Sequence, residues 1–241
     1  MNEPIVIENL TKYYNSFLAL DNLSLRIAGN ENVGFLGPNG AGKSTTLKIL
    51  CGLIRATSGK AYIKGFDITT QKEKALSQIG TIIETPEFYG FLTPKETLNY
   101  FGKLRGMDGN HLTERIDNVI KLVSLEQWLN VKIEKFSRGM KQRLALAQTL
   151  LHDPPILILD EPALGLDPRA VIEFRQIILE AGKDKVVFFA SHQLSEVAQI
   201  CKYVAIIDRG KLLEYDNIAA LEQKYDSLEN AYLQLTGVPS E

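Results

Sequence analysis

The eight residues Gly37-Pro38-Asn39-Gly40-Ala41-Gly42-Lys43-Ser44 satisfy G-x-x-x-x-G-K-[ST] in full and constrain the fold more than any other stretch of the chain. They follow Asn32-Val33-Gly34-Phe35-Leu36, a short apolar run of strand character, and lead into residues 44–50, which have helical character. A strand, a glycine-rich loop and a helix in that order let successive backbone N–H groups converge on anionic oxygens, with the positive end of the helix behind them. Lys43 then reaches the β- and γ-phosphates of a nucleotide, and Ser44 offers its hydroxyl oxygen to Mg²⁺. Gly37, Asn39, Gly40, Ala41, Gly42 and Thr45 complete the candidate phosphate cradle.

A second element fits the first. Asp160-Glu161 closes the apolar run Ile156-Leu157-Ile158-Leu159. An aspartate at such a strand end is placed to hold Mg²⁺ directly or through water. Glu161, one step further, is placed to orient or deprotonate a water in line with the γ-phosphate. Alone, the pair also reads as two solvated acids; Lys43 is what favours chemistry.

Around these motifs, residues 5–7 and 23–27 predict short early strands forming an antiparallel edge or β-subdomain, and 60–64 and 79–83 predict two more. Between Glu84 and Pro154 no strand pattern occurs. There, Thr93-Pro94-Lys95-Glu96 has the N-cap, N1 proline and N3 acid of a capping box. Ile116, Val119, Ile120 and Val123 repeat at helical spacing, as do Met140, Leu144, Ala147 and Leu151. Strand signal returns at 156–159, 186–189 and 204–207, continuous apolar runs of the kind covered on both faces. The economical reading is α/β: a P-loop NTPase parallel-sheet core with an antiparallel β-subdomain and a helical insertion. The core would occupy residues 1–85 and 155–216, the insertion 86–154, and a helical or partly loose tail 217–241.

Composition narrows the partners. With 45% hydrophobic and 23% charged residues the chain suits a packed core. Its 27 Lys and Arg against 29 Asp and Glu give no reason to expect a nucleic-acid backbone or an anionic lipid as main partner. Cys51 and Cys201 lack C-x-x-C spacing, which argues against a zinc site or disulfide framework. No run approaches the 18 or so apolar residues that span a bilayer, so a link to a membrane is expected to go through a partner.

These residues resemble the ATP-binding subunits of ABC transporters, over nearly the whole chain to about Leu213. The family's motifs stand in order: Walker A at 37–44, a signature-like Phe136-Ser137-Arg138-Gly139-Met140, and Walker B through Leu157-Ile158-Leu159-Asp160-Glu161-Pro162. A D-loop ending Gly165-Leu166-Asp167 follows, then His192 after Ser191. The resemblance implies that two such subunits, a homodimer or a pair of paralogues, pack head to tail around two ATP molecules with Mg²⁺. It implies that Ser137 and Gly139 meet the partner's nucleotide, that His192 contacts the γ-phosphate, and that Asp167 links the two sites. Tyr14, rather than Tyr13, would stack on adenine. On its own terms Ser137 reads as an ordinary helix cap, and His192, like His111 and His152, as a surface or packing residue.

Phe136, Arg138 and Met140 replace the family's usual leucine, glycine and glutamine, and Glu84 stands where glutamine is usual. A carboxylate there can approach Mg²⁺, which makes Glu84 a candidate for metal binding and catalysis, while adding negative charge beside the triphosphate. With Thr85-Pro86-Glu87-Phe88-Tyr89 it resembles the branch that includes bacitracin-resistance and lantibiotic-immunity exporters. The expected protein is an ATPase subunit at the cytoplasmic face of the cell membrane, energising a separate integral membrane permease that exports a peptide antibiotic or similar cargo. The alternative is a mechanical or regulatory ABC ATPase acting on nucleic acid or ribosome. The near-neutral charge and the lack of basic arms or coiled-coil insertions disfavour it, and no N-K-x-D segment supports a GTPase.

Overall fold

The computed structural model describes residues 3–237. The chain opens with strands β1 (Ile5–Tyr14), β2 (Phe17–Ile27) and β3 (Asn32–Leu36), helix α1 (Lys43–Leu50), strands β4 (Ser58–Ile63) and β5 (Phe66–Asp67), helix α2 (Lys72–Leu76) and strand β6 (Ile79–Ile82). Helices α3 (Pro94–Leu104), α4 (Gly109–Leu122) and α5 (Arg138–Leu150) come next, then β7 (Ile156–Asp160), α6 (Pro168–Ala181), β8 (Val186–Ser191), α7 (Leu194–Ile200) and β9 (Tyr203–Asp208). Strand β10 (Lys211–Asn217) and helices α8 (Ile218–Tyr225) and α9 (Leu228–Thr236) close it. A six-stranded sheet runs β10-β9-β3-β8-β7-β6, parallel except for β10, beside a four-stranded antiparallel sheet ordered β2-β1-β4-β5. This is the α/β architecture that the sequence predicts.

The central strands are apolar along their length because both faces are covered. Leu157, Leu159, Phe189 and Ile206 join a core with α3 to α9, while Ile156, Ile158, Phe188 and Ile207 join a second core with α1 and the antiparallel sheet. Each such side chain, buried, contributes about 1.5–3 kcal/mol. The parallel order sets the C-terminal ends of β3, β7 and β8 side by side, the edge at which open α/β sheets bind ligands.

β1 and β2 run to 10 and 11 residues, well beyond the short early strands that the sequence predicts. Asn9 and Asn22 each turn at φ 50°, and the register shifts between Ile7 and Leu10 and again before Lys12. Such bulges break the period-2 pattern by which strands are recognised, and they let β1 continue to Tyr14. The capping box at Thr93 forms as its spacing predicts: Thr93 Oγ1 accepts from Glu96 N, and Glu96 accepts from Thr93 N at 2.8 Å.

Helix α5 is fastened to β6 at its C-terminal end. Thr149 Oγ1 donates to Thr81 O at 3.0 Å, and a Cβ added to Gly80 would lie 2.4 Å from Thr149 O, so no larger residue fits there without movement. His152 Nε2 lies 3.0 Å from Ile79 O. Burial holds the His152 pKa down to about 4, so the ring is neutral and donates this bond. The C-terminal helices join the same core through Ile218, Leu221, Leu228 and Ala231. Residues 238–241 of the expected tail lie outside the described residues.

Candidate active site

The loop between β3 and α1 is shaped by contacts that tolerate no side chain at two of its glycines. A Cβ at Gly37 would lie 2.3 Å from Ile207 O; Gly42 sits at φ 107°, where a Cβ would lie 2.8 Å from Ala19 O. Ala41 N donates to Pro38 O at 3.1 Å and Gly210 N to Ala41 O at 2.9 Å, so the β9–β10 hairpin braces the loop. Lys43, 6% exposed, donates from Nζ to Gly37 O at 2.6 Å and Pro38 O at 3.2 Å. Burial lowers its pKa, opposed by Glu161 and Asp160. The loop from Asn39 to Thr45 lines a cleft of about 260 Å³ with Tyr14, Phe17 and Ala19 from the antiparallel sheet and with Glu161. Lys12 Nζ lies 4.9 Å from the centroid of the Tyr14 ring, a cation–π contact that holds the ring at the mouth of this cleft.

Asp160 and Glu161, adjacent in sequence, lie in different surroundings. Asp160 is 4% exposed, and its Oδ1 is buried without a hydrogen-bond partner. Burial raises its pKa, while Ser44, Lys43 and Lys48 pull it down. An unpartnered carboxylate oxygen beside a serine hydroxyl suits a hard cation with oxygen ligands, most of them supplied by phosphate and water. Glu161 turns at φ 47°, and its N–H donates to Ala190 O at 2.9 Å, tying the ends of β7 and β8. Both of its carboxylate oxygens lie 2.9 Å from His192 Nδ1. Residues 161 and 192 are 31 positions apart, and it is the sheet order, β7 beside β8, that brings them together.

Ser137 caps α5, accepting from Met140 N at 3.3 Å, and Asp167 caps α6, accepting from Ala170 N at 2.9 Å. Neither side chain hydrogen-bonds to Lys43, Asp160, Glu161 or His192. A Cβ on Gly139 would meet nothing closer than 3.8 Å, so packing within the chain does not require glycine there. The Arg138 guanidinium packs against Gly165, and Arg143 of α5 pairs with Glu173 of α6, joining the start of α5 to the segment that carries Asp167.

Glu84, the candidate metal ligand, rests on a neighbouring lysine. It turns at φ 65°, and its carboxylate pairs with Lys48, although it borders the same pocket as Ser44, Asp160 and Glu161. Hydrogen bonding to Lys48 lowers the Glu84 pKa and raises that of Lys48. Lys48 went unread in the sequence, yet it stands four residues after Ser44 on α1 and therefore on the same helix face.

A family model described as "ABC transporter" matches residues 20–164. The chain belongs to the ABC transporter family. The ABC subunit is 42% identical over 230 residues to the bacitracin transport ATP-binding protein BcrA of Bacillus licheniformis, covering 93% of this chain and 74% of that one. It is 34% identical to a probable multidrug ABC transporter ATP-binding protein, YbhF, of Escherichia coli strain K12, covering 96% of this chain and 41% of that one. A solved ATP-binding subunit of an ABC transporter superposes with a TM-score of 0.85 at 28% identity, covering 96% of this chain and 98% of that one. A dimeric ATP-binding cassette bound to ADP and Pi superposes with a TM-score of 0.78 at 26% identity, covering 88% of this chain and 98% of that one. The subunit binds and hydrolyses ATP. Among the described residues no helix is long and apolar enough to cross a membrane.

Proposed function

We propose that this ATPase subunit works as a head-to-tail dimer, with itself or a paralogue, and drives a separate integral membrane permease from the cytoplasmic face of the membrane. The observation that carries the chemistry is the Glu161–His192 pair, set at the ends of β7 and β8 beside the loop that holds Lys43. Lys43 and backbone N–H groups between Asn39 and Thr45 bind the β- and γ-phosphates, and Tyr14 stacks on the base. Ser44 and Asp160 hold Mg²⁺, with Glu84 able to join them by releasing Lys48; the ion supplies charge neutralisation at the β- and γ-phosphates. Glu161 takes a proton from a water, whose oxygen bonds to the γ-phosphorus as the bond to the β-phosphate oxygen breaks, releasing ADP and phosphate. His192, hydrogen-bonded to Glu161, holds that carboxylate and faces the transferred group.

The vacant room at Gly139 and the outward hydroxyl of Ser137 suit a phosphate arriving from a second subunit, across an interface where Asp167 also lies. On this reading residues 86–154 move as an inserted body against a core of 1–85 and 155–216. The likeness to BcrA supports the bacitracin and lantibiotic branch, and we assign export of a peptide antibiotic as the cargo reaction. Charge balance gives no basis for direct nucleic-acid binding.

The permease is expected to dock where Tyr89 and Phe91, 67% and 66% exposed, stack at 5.6 Å between centroids. Their neighbour Phe88 packs inward against the chain's own core. Tyr89→Asp is therefore expected to fold and bind ATP normally but to lose co-purification with the permease, because it would bury an unpaired charge. Pull-down of the membrane partner, with thermal melting and ATP affinity alongside, tests this; normal assembly removes Tyr89 from the interface. Glu84→Gln keeps an acceptor oxygen and removes the charge, so its ATPase rate is expected to stay within about fivefold of wild type, the range spanned by loss of an exposed ion pair. A larger loss, measured at saturating ATP and Mg²⁺, would assign the carboxylate itself to the reaction.

A further inference from the structure

Ser191 and Glu196 form a buried pair that the proposed chemistry does not use. Ser191, the last residue of β8, is fully buried, and Glu196, in the first turn of α7, is 6% exposed. Ser191 Oγ donates to Glu196 Oε2 at 2.9 Å and accepts from Gln193 N at 3.0 Å. One hydroxyl thus ties both sides of His192, the residue between them. A buried carboxylate is costly unless its hydrogen bonds are met, and this one spends its bond on the turn rather than on solvent. Burial raises the Glu196 pKa; the Ser191 bond, His192 and Arg175 oppose that, and Glu161 adds to it.

The frame behind the pair is rigid. A Cβ on Gly34 would lie 2.3 Å from Val197 Cγ1, so α7 sits against β3 at the closest approach that glycine allows. Glu196, next to Val197, cannot shift without moving that contact. On the other side, Ala190 O accepts from Glu161 N, which fixes the strand end just before Ser191. His192 is therefore held by its backbone from both directions while its ring reaches Glu161.

We infer that Glu196 is a positioning residue, which through Ser191 sets the His192 ring in the orientation that engages Glu161 and the γ-phosphate. This rests on the proposed part of His192 in hydrolysis. Misplacement of a catalytic group by about 1 Å can cost about 100-fold in rate. Glu196→Ala is accordingly expected to lower kcat by about 10- to 100-fold while leaving KM for ATP within about twofold. Glu196→Gln, whose amide oxygen still accepts from Ser191, should restore kcat to within about threefold of wild type.

The deciding measurement is a double-mutant cycle on the full chain, with steady-state hydrolysis and thermal melting recorded for Glu196→Ala, His192→Ala and the double variant. If Glu196 acts through His192, adding Glu196→Ala to His192→Ala costs less than about twofold more. An equal fold-loss in both backgrounds means a general structural role and overturns the inference, as does a wild-type kcat in Glu196→Ala. If His192→Ala itself hydrolyses ATP at the wild-type rate, the reading of His192 fails and this inference with it. Should Glu196→Ala not fold, Ser191→Ala takes its place in the same cycle with the same expected outcome.

Discussion

Glu161→Gln is expected to lower steady-state ATP hydrolysis by about 10²–10⁴-fold, the contribution of a positioned general base, while ATP binding is retained. The amide matches the carboxylate in size and fits the same backbone, so Lys43 and the buried Asp160 keep their places. What disappears is the anionic group that lies 2.9 Å from His192 Nδ1, proposed to take the proton of the attacking water. With ATP bound and not consumed, the proposed dimer should accumulate and persist on size-exclusion chromatography, where wild type returns to monomer as nucleotide is spent. Hydrolysis near the wild-type rate would remove Glu161 from the reaction.

The second large effect concerns Ser137. Ser137→Arg is expected to abolish hydrolysis while single-subunit ATP affinity stays within about twofold, because the serine caps its own helix and bonds to no residue of its own phosphate loop. A Lys43→Ala subunit should fail in the complementary way, losing the phosphate contact itself. Mixing the two inactive proteins then creates one intact composite site and one doubly damaged site. Recovery of part of the wild-type rate on mixing supports the shared site; full activity of Ser137→Arg alone rejects it.

How far the sequence reaches depends on whether the relevant interactions are local. The phosphate loop was legible because strand, glycines, lysine and helix are contiguous, and the glycines answer to identifiable clashes at Ile207 O and Ala19 O. The caps at Thr93 and Ser137 were legible because a cap spans only three residues. β1 and β2 were misjudged in length, since bulges at Asn9 and Asn22 erase the alternation that marks a strand. Pairings across the sheet were not legible at all. That His192 meets Glu161, or that Glu84 rests on Lys48, follows from which strand ends lie side by side, and periodicity within a segment carries no record of that order.

The fastening of α5 to β6 gives this helix a mechanical ratio. Its 13 residues extend about 20 Å, from an end held at Gly80 and Thr81 to an end that presents Ser137. Over that arm a tilt of about 1.5° displaces the serine by about 0.5 Å, the full width of the usual hydrogen-bond range. The segment that leaves β6, Thr85 to Phe88, shares a pocket with Arg138 and Gln142, so this strand end touches the helix at its serine end as well as at its anchored end. If a permease docks at Tyr89 and Phe91 as proposed, pressure there would reach the aim of Ser137 through this segment.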